Sequence, residues 1–162
     1  RGVKMFQRSL SLFLPLGTPL RRTLLKYSDI STRKFNISMI ANITIDGYEA
    51  LNNVLKEQTG QVFVLFSGSP NAEGVSWCPD CVKADPVIAR NLEKAPSNAV
   101  FIHCHVGDRT YWKDQNNEFR KDPKFAIRCV PTLLKVGSRH KLEEEQCLSD
   151  DLIQMLFEDE DD

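Results

Sequence analysis

A chain of 162 residues with 41% hydrophobic content holds enough apolar material for one ordinary core and a short extension. The net charge of −1, with no basic stripe, excludes the usual footprint of nucleic-acid binding, and no apolar run approaches the ~18 residues that a membrane span needs. Five cysteines, with one closely spaced pair among them, suit a reducing compartment better than a disulfide-stapled secreted domain.

The charge is unevenly shared. Residues 1–38 carry eight Lys or Arg against Asp29 alone, whereas the remainder is acidic. This segment shows no sustained hydrophobic period and is expected to be an N-terminal extension outside the fold. Read from Met5, it is Arg-rich, Ser-rich and nearly free of acid, as a mitochondrial presequence is. A secretory signal fits less well, because Pro15 interrupts Leu10–Leu16 and no small-residue cleavage site follows. The favoured reading starts the protein at Met39, since the ordered pattern begins directly after it, with residues 1–38 as upstream sequence. The expected location is the cytoplasm, or the mitochondrion if the presequence is genuine.

From Ile40 the pattern turns regular. Ala41–Ile45 alternates as a short strand and breaks at Asp46-Gly47. Tyr48, Leu51, Val54 and Leu55 mark one face of a helix ending near Gly60. Gln61–Phe66 is an apolar, β-rich run that reads as a buried strand, followed by a polar loop, Ser67–Ser76. Then comes Trp77-Cys78-Pro79-Asp80-Cys81, opening a helix that reaches about Ala95, with Pro86 inside it to kink it. Ala99–Val106 is another apolar strand. A long polar segment, Gly107–Lys124, holds a short helix around Asn116–Arg120. Val130–Val136 and Lys141–Glu144 form a hairpin about Gly137-Ser138, and Ser149 caps a closing helix. Residues 158–162 read as a solvated acidic tail. The order β-α-β-α-β-α-β-β-α predicts an α/β domain over 39–157, with one mixed β-sheet and helices on both faces.

Two cysteines separated by two residues can close a small disulfide at a helix start. There, unpaired N–H groups and the positive end of the helix dipole favour a thiolate at Cys78; a thiol so placed can fall from ~8.5 to about 7 or lower. Cys78 is therefore the expected nucleophile. Cys81, one turn further in, would resolve the mixed disulfide. The competing reading is half of a zinc site, which needs a second Cys/His pair at short spacing. Cys104, Cys129 and Cys147 stand alone, and His103, Cys104 and His105 alternate faces on a strand. No metal is expected.

A WCxxC between strand and helix, Pro86 eight residues after Cys78, and Val130-Pro131-Thr132 opening a later strand together resemble the thioredoxin family. The resemblance narrows to its small cytosolic members with a WCPDC site. Their pattern is matched by Ser76–Cys81, by Tyr111-Trp112-Lys113-Asp114 with Asn116-Asn117 and Phe119-Arg120, and by Cys147-Leu148 before Met155-Leu156-Phe157. It covers about Met39 to Phe157. It implies a thioredoxin fold in which Pro131 is a cis proline facing the dithiol and the Val130 backbone pairs with an extended substrate. It also implies a protein-disulfide reductase using a reversible Cys78–Cys81 disulfide with no bound cofactor. Electrons would come from NADPH through thioredoxin reductase, and a peroxidase-type activity could accompany the main one. The expected partners are thioredoxin reductase and disulfide-containing proteins or small molecules, and a monomer is expected. A thioredoxin-fold binding or scaffold protein with a regulatory dithiol is the alternative.

Leu65 stands where thioredoxin carries a buried Asp that helps move the proton of the second thiol, so Asp80 becomes the nearest candidate for that role, although it also puts negative charge near a thiolate, and the two effects oppose each other. Trp77 would shield the flank of the disulfide, with Pro79, Val130 and Thr132 supporting the site. His103 and His105 read as structural, and Cys104 and Cys147 as small buried apolar residues. Tyr111 and Trp112 could bind substrate or form the packed base of a loop. Cys129 should lie at the rim of the groove, where Arg128 could favour its thiolate and make it a regulatory thiol; the bland reading is a small packing residue.

Overall fold

A computed structural model describes residues 40–159. The expected extension 1–38 and the tail beyond Asp159 lie outside the described residues. Strand β1 (Ala41–Asp46) leads into helix α1 (Tyr48–Glu57), then β2 (Val62–Ser67), α2 (Pro79–Asn91) and β3 (Val100–His105). Two short helices follow, α3 (Arg109–Lys113) and α4 (Glu118–Lys121), then β4 (Thr132–Lys135), β5 (Lys141–Glu143) and α5 (Asp150–Glu158). The sheet order is β1-β3-β2-β4-β5. β1, β3 and β2 run parallel, while β4 is antiparallel to both β2 and β5. The expected mixed sheet is therefore present, with β2 at its centre.

Every residue of β2 is buried, which is why its sequence reads as a continuous apolar run rather than an alternating one. Val62, Val64 and Phe66 enter a core with Leu51, Trp112, Phe119 and Phe125. Phe63 and Leu65 enter a second core with Ala84, Ile88, Ile153 and Phe157. Period-two alternation thus splits one strand between two cores. Helix α2 runs through Pro86 without interruption; the N–H missing at Pro86 is the one that would meet the carbonyl of Val82.

Several boundaries differ from expectation. The polar segment after β3 holds two helices, not one; α3 is started by Asp108, whose carboxylate accepts from Thr110 N and Tyr111 N. A 3-10 turn, Glu144–Leu148, lies between β5 and α5. β4 begins at Thr132, because Pro131 has no N–H to give the ladder. At the C-terminus, Glu158 completes α5, and Asp159 is bound rather than solvated. Its carbonyl accepts from Lys135 Nζ at 2.5 Å and its carboxylate meets His140 Nδ1 at 2.6 Å.

Candidate active site

The site forms where β2 ends and α2 begins, beside the start of β4. The intervening loop is folded on itself. Asn71 Oδ1 accepts the N–H groups of Glu73 and Val75 at 3.1 and 3.0 Å, and Pro70 bridges to Ser76. Ser76 Oγ donates to Gly68 O at 2.7 Å and accepts the Cys78 N–H at 3.2 Å. A Cβ on Gly68 would stand 2.7 Å from Trp77 Cε2, so only glycine lets the strand end pass beneath the indole.

The loop after β3 is tied to this one through Gly107. Its carbonyl accepts from Ser69 N at 3.2 Å and Trp77 Nε1 at 2.9 Å, and its N–H donates to Ser69 Oγ at 3.0 Å. Trp77 is thereby clamped beside the dithiol. Trp112 is buried, with the Arg120 guanidinium stacked 4.3 Å from its ring centre, so it forms the base of the loop. Tyr111 stays partly exposed and donates its hydroxyl to Glu118.

Cys78 is the N-cap residue of α2 and only 6% exposed. Its Sγ accepts the Cys81 N–H at 3.4 Å, an interaction that a thiolate makes more strongly than a thiol. Its thiol also faces Val130 O at 3.4 Å. Pro79 occupies the first helical turn, where its fixed φ suits the helix and its missing N–H costs nothing. Cys81 is fully buried. Burial pushes its thiol up to about 12, with Cys78 adding to the rise and the Gly68 backbone and the Ser67 hydroxyl opposing it. The Val130–Pro131 bond is cis, and Thr132 Oγ1 donates to Cys129 O at 2.8 Å, pinning the turn that precedes β4.

Two further residues near the dithiol have surroundings that bear on their expected roles. The Asp80 side chain is 59% exposed and pairs with Lys83 at 2.9 Å. Cys129 does lie half-buried beside Pro131, but its thiol is raised, first by burial and then by the Glu143 and Glu144 carboxylates, with the Thr132 hydroxyl and Lys141 opposing.

A polar cluster escaped the sequence reading. His103 and His105 share the β3 face turned towards α2, their rings 4.9 Å apart. His105 Nδ1 meets Asp46 at 2.8 Å, while His103 Nε2 and Asp85 Oδ1 face each other at 3.9 Å, too far for a hydrogen bond. Both atoms are buried without a hydrogen-bond partner. Burial raises Asp85, and it lowers His103 to about 4, with His105 contributing. Spacing alone puts the two histidines on one face; only the fold brings Asp85 against them. Cys104 and Cys147 are fully buried and raised to about 12 by that burial. Among the described residues, no group of three His, Cys, Asp or Glu is arranged to hold a metal.

The model of the family described as "Thioredoxin domain-containing protein 17-like, thioredoxin domain" matches residues 44–159. The chain belongs to that family. Thioredoxin domain-containing protein 17 of Mus musculus is 46% identical over 73% of this chain and 95% of its own length. The Danio rerio protein of the same name is 45% identical over 75% of this chain and 98% of its own length. A thioredoxin-like protein Clot of Arabidopsis thaliana is 40% identical over 45% of this chain and 55% of its own length. The expected thioredoxin fold is thus correct, and membership carries thiol–disulfide oxidoreductase chemistry in general terms. Proteins of this fold typically work through the cysteine pair, without a bound cofactor.

Proposed function

We propose that this domain is a protein-disulfide reductase. One observation carries the reading: Cys78 Sγ sits at the N-cap of α2, within reach of the Cys81 N–H and opposite Val130 O. The Cys78 thiolate attacks a substrate disulfide R–S–S–R′. A Cys78–S–S–R bond forms and R′–S⁻ leaves. Cys81 then attacks Cys78 Sγ, closing Cys78–Cys81 and expelling R–S⁻, which takes up a proton. An extended substrate segment would lie along Val130. Thioredoxin reductase, fed by NADPH, would return the disulfide to the dithiol, and a hydroperoxide could replace the disulfide as oxidant. Five free thiols, most of them buried, suit the reducing cytoplasm, where we place the protein as a monomer.

The test follows NADPH oxidation with thioredoxin reductase and a small disulfide such as cystine. Wild type should turn over, and Cys78→Ser should fall to the uncatalysed rate. Equal rates for the two would refute the reductase and leave a thioredoxin-fold binding module with a regulatory dithiol.

A further inference from the structure

Helix α2 opens with Cys78 as its N-cap, followed by Pro79, Asp80 and, as the third helical residue, Cys81. In a capping box the N-cap side chain accepts the N–H of the third residue, and the third side chain reaches back to accept the N-cap N–H. The first half is present here with sulfur in place of oxygen: Cys78 Sγ accepts the Cys81 N–H at 3.4 Å. The second half cannot come from within the helix, because the third residue is the buried Cys81 and not Glu or Gln. It comes from upstream. Ser76 Oγ accepts the Cys78 N–H at 3.2 Å and gives its own proton to Gly68 O at 2.7 Å, directly after β2. The start of α2 is thereby tied to the end of the central strand.

The two ties respond differently to the reaction. The hold of Cys78 Sγ on the Cys81 N–H is strong while the sulfur is a thiolate and weak once it is part of a disulfide, since neutral divalent sulfur is a poor acceptor. The hold of Ser76 on the Cys78 N–H involves no sulfur and stays the same. We propose that Ser76 is a positioning residue for the second step, holding the start of α2 in the mixed disulfide so that Cys81 stays within reach of Cys78 Sγ. The inference rests on the reductase reading, with Cys78 as attacking and Cys81 as resolving thiol. In the first step the Cys78 thiolate bonds to one sulfur of R–S–S–R′ and R′–S⁻ leaves. In the second, Cys81 Sγ bonds to Cys78 Sγ, the Cys78–S–S–R bond breaks, and the Cys81 proton ends on the departing R–S⁻. Ser76 keeps its own proton throughout. Without its hydroxyl the reduced protein retains the sulfur cap, whereas the mixed disulfide loses both holds.

Single-turnover reduction of a symmetrical disulfide peptide by the prereduced protein, without thioredoxin reductase, frees one peptide thiol at attack and the second at resolution. Ser76→Ala should slow the second release about twofold to tenfold, the range that one lost hydrogen bond spans, and spare the first. Ser76→Thr and Ser76→Val, equal in shape, should divide likewise, with the threonine variant close to wild type and the valine variant slow; this pair decides the matter if the alanine variant folds poorly. A mixed disulfide trapped with Cys81→Ser gives a second readout. Amide hydrogen exchange at Cys78 should be faster with Ser76→Val than with Ser76→Thr, while exchange at Val106, whose N–H is bonded to Ser67 O, stays the same. Equal second releases, or equal exchange at Cys78, for the threonine and valine variants would overturn the role of Ser76. So would an equal slowing of both releases, which marks a general loosening, or a slowing of the first alone. Absence of any turnover in wild type would instead sink the reductase reading itself.

Discussion

The two active-site cysteines lie three residues apart yet meet different surroundings. Cys78 borders the groove beside Val130 at the helix cap, and Cys81 is enclosed by the core and raised to about 12. Cys78 keeps 6% of its surface exposed and Cys81 none, so the proposed reaction gives a substrate the first sulfur and not the second. Cys81→Ser should therefore accumulate a mixed disulfide through Cys78, and Cys78→Ser should accumulate none, as mass spectrometry after exposure to a disulfide substrate would register. Equal trapping by both variants would contradict this division. The placement of Cys78 and Cys81 at the start of α2, and of a cis Pro131 before β4, was legible in the sequence because C-x-x-C and Val-Pro-Thr are local patterns. The approach of Asp85 to His103 was not, because the two lie eighteen positions apart and meet only once α2 packs on β3. Asp80 shows the converse: its proximity in sequence suggested a part in moving the Cys81 proton, while in the fold its carboxylate is largely exposed and paired with Lys83.

At the level of elements, β1, β2, β3 and the larger helices were readable because six to thirteen residues are enough to show a period or a continuous apolar run. Helix α3 and the 3-10 turn Glu144–Leu148 span only five residues each, too few to show one. What holds α3 is its Asp108 cap and the burial of Trp112, and the second is a property of the tertiary fold. The strand-to-helix loop depends on a single close approach. Gly68→Ala would place a methyl group 2.7 Å from the Trp77 ring and 2.9 Å from Ser76 Oγ. Trp77 would have to move from its bond to Gly107, and Ser76 from its bond to the Cys78 N–H. A loss of about 1–3 kcal/mol in stability is expected, as for overpacking in general, together with slower disulfide reduction. Val75→Ala, at an exposed position of the same loop, should leave both within error. Urea denaturation and the NADPH-coupled assay measure the two effects; an unchanged Gly68→Ala protein would mean that the loop yields freely.

Across the whole domain, the burial of His103 and Asp85 between β3 and α2 makes stability depend on pH. His103 titrates near 4 in the folded protein against an ordinary value of 6.5. Between those values the unfolded chain binds more protons, so the stability linked to His103 is complete above pH 6.5 and is lost as pH falls towards 4. The shift corresponds to at most about 3 kcal/mol. Asp85, raised by burial, works in the other direction: its contribution is complete below its ordinary 3.8 and is lost as pH rises through the folded value. Replacing His103 with Asn should flatten the decline in unfolding free energy between pH 6.5 and pH 4, measured by urea titration; parallel profiles for the two proteins would refute it. The Gly107 knot bears on the domain in another way. It fastens the loops that leave two neighbouring central strands, with Trp77 held between them. A groove fixed in this way before contact loses little further freedom when a partner enters, so a well-shaped partner binds without an ordering penalty. A poorly shaped one finds no mobile wall to accommodate it. Discrimination among disulfides would then arise from rigidity at the mouth of the groove, with no change in the reactivity of the sulfur beneath it.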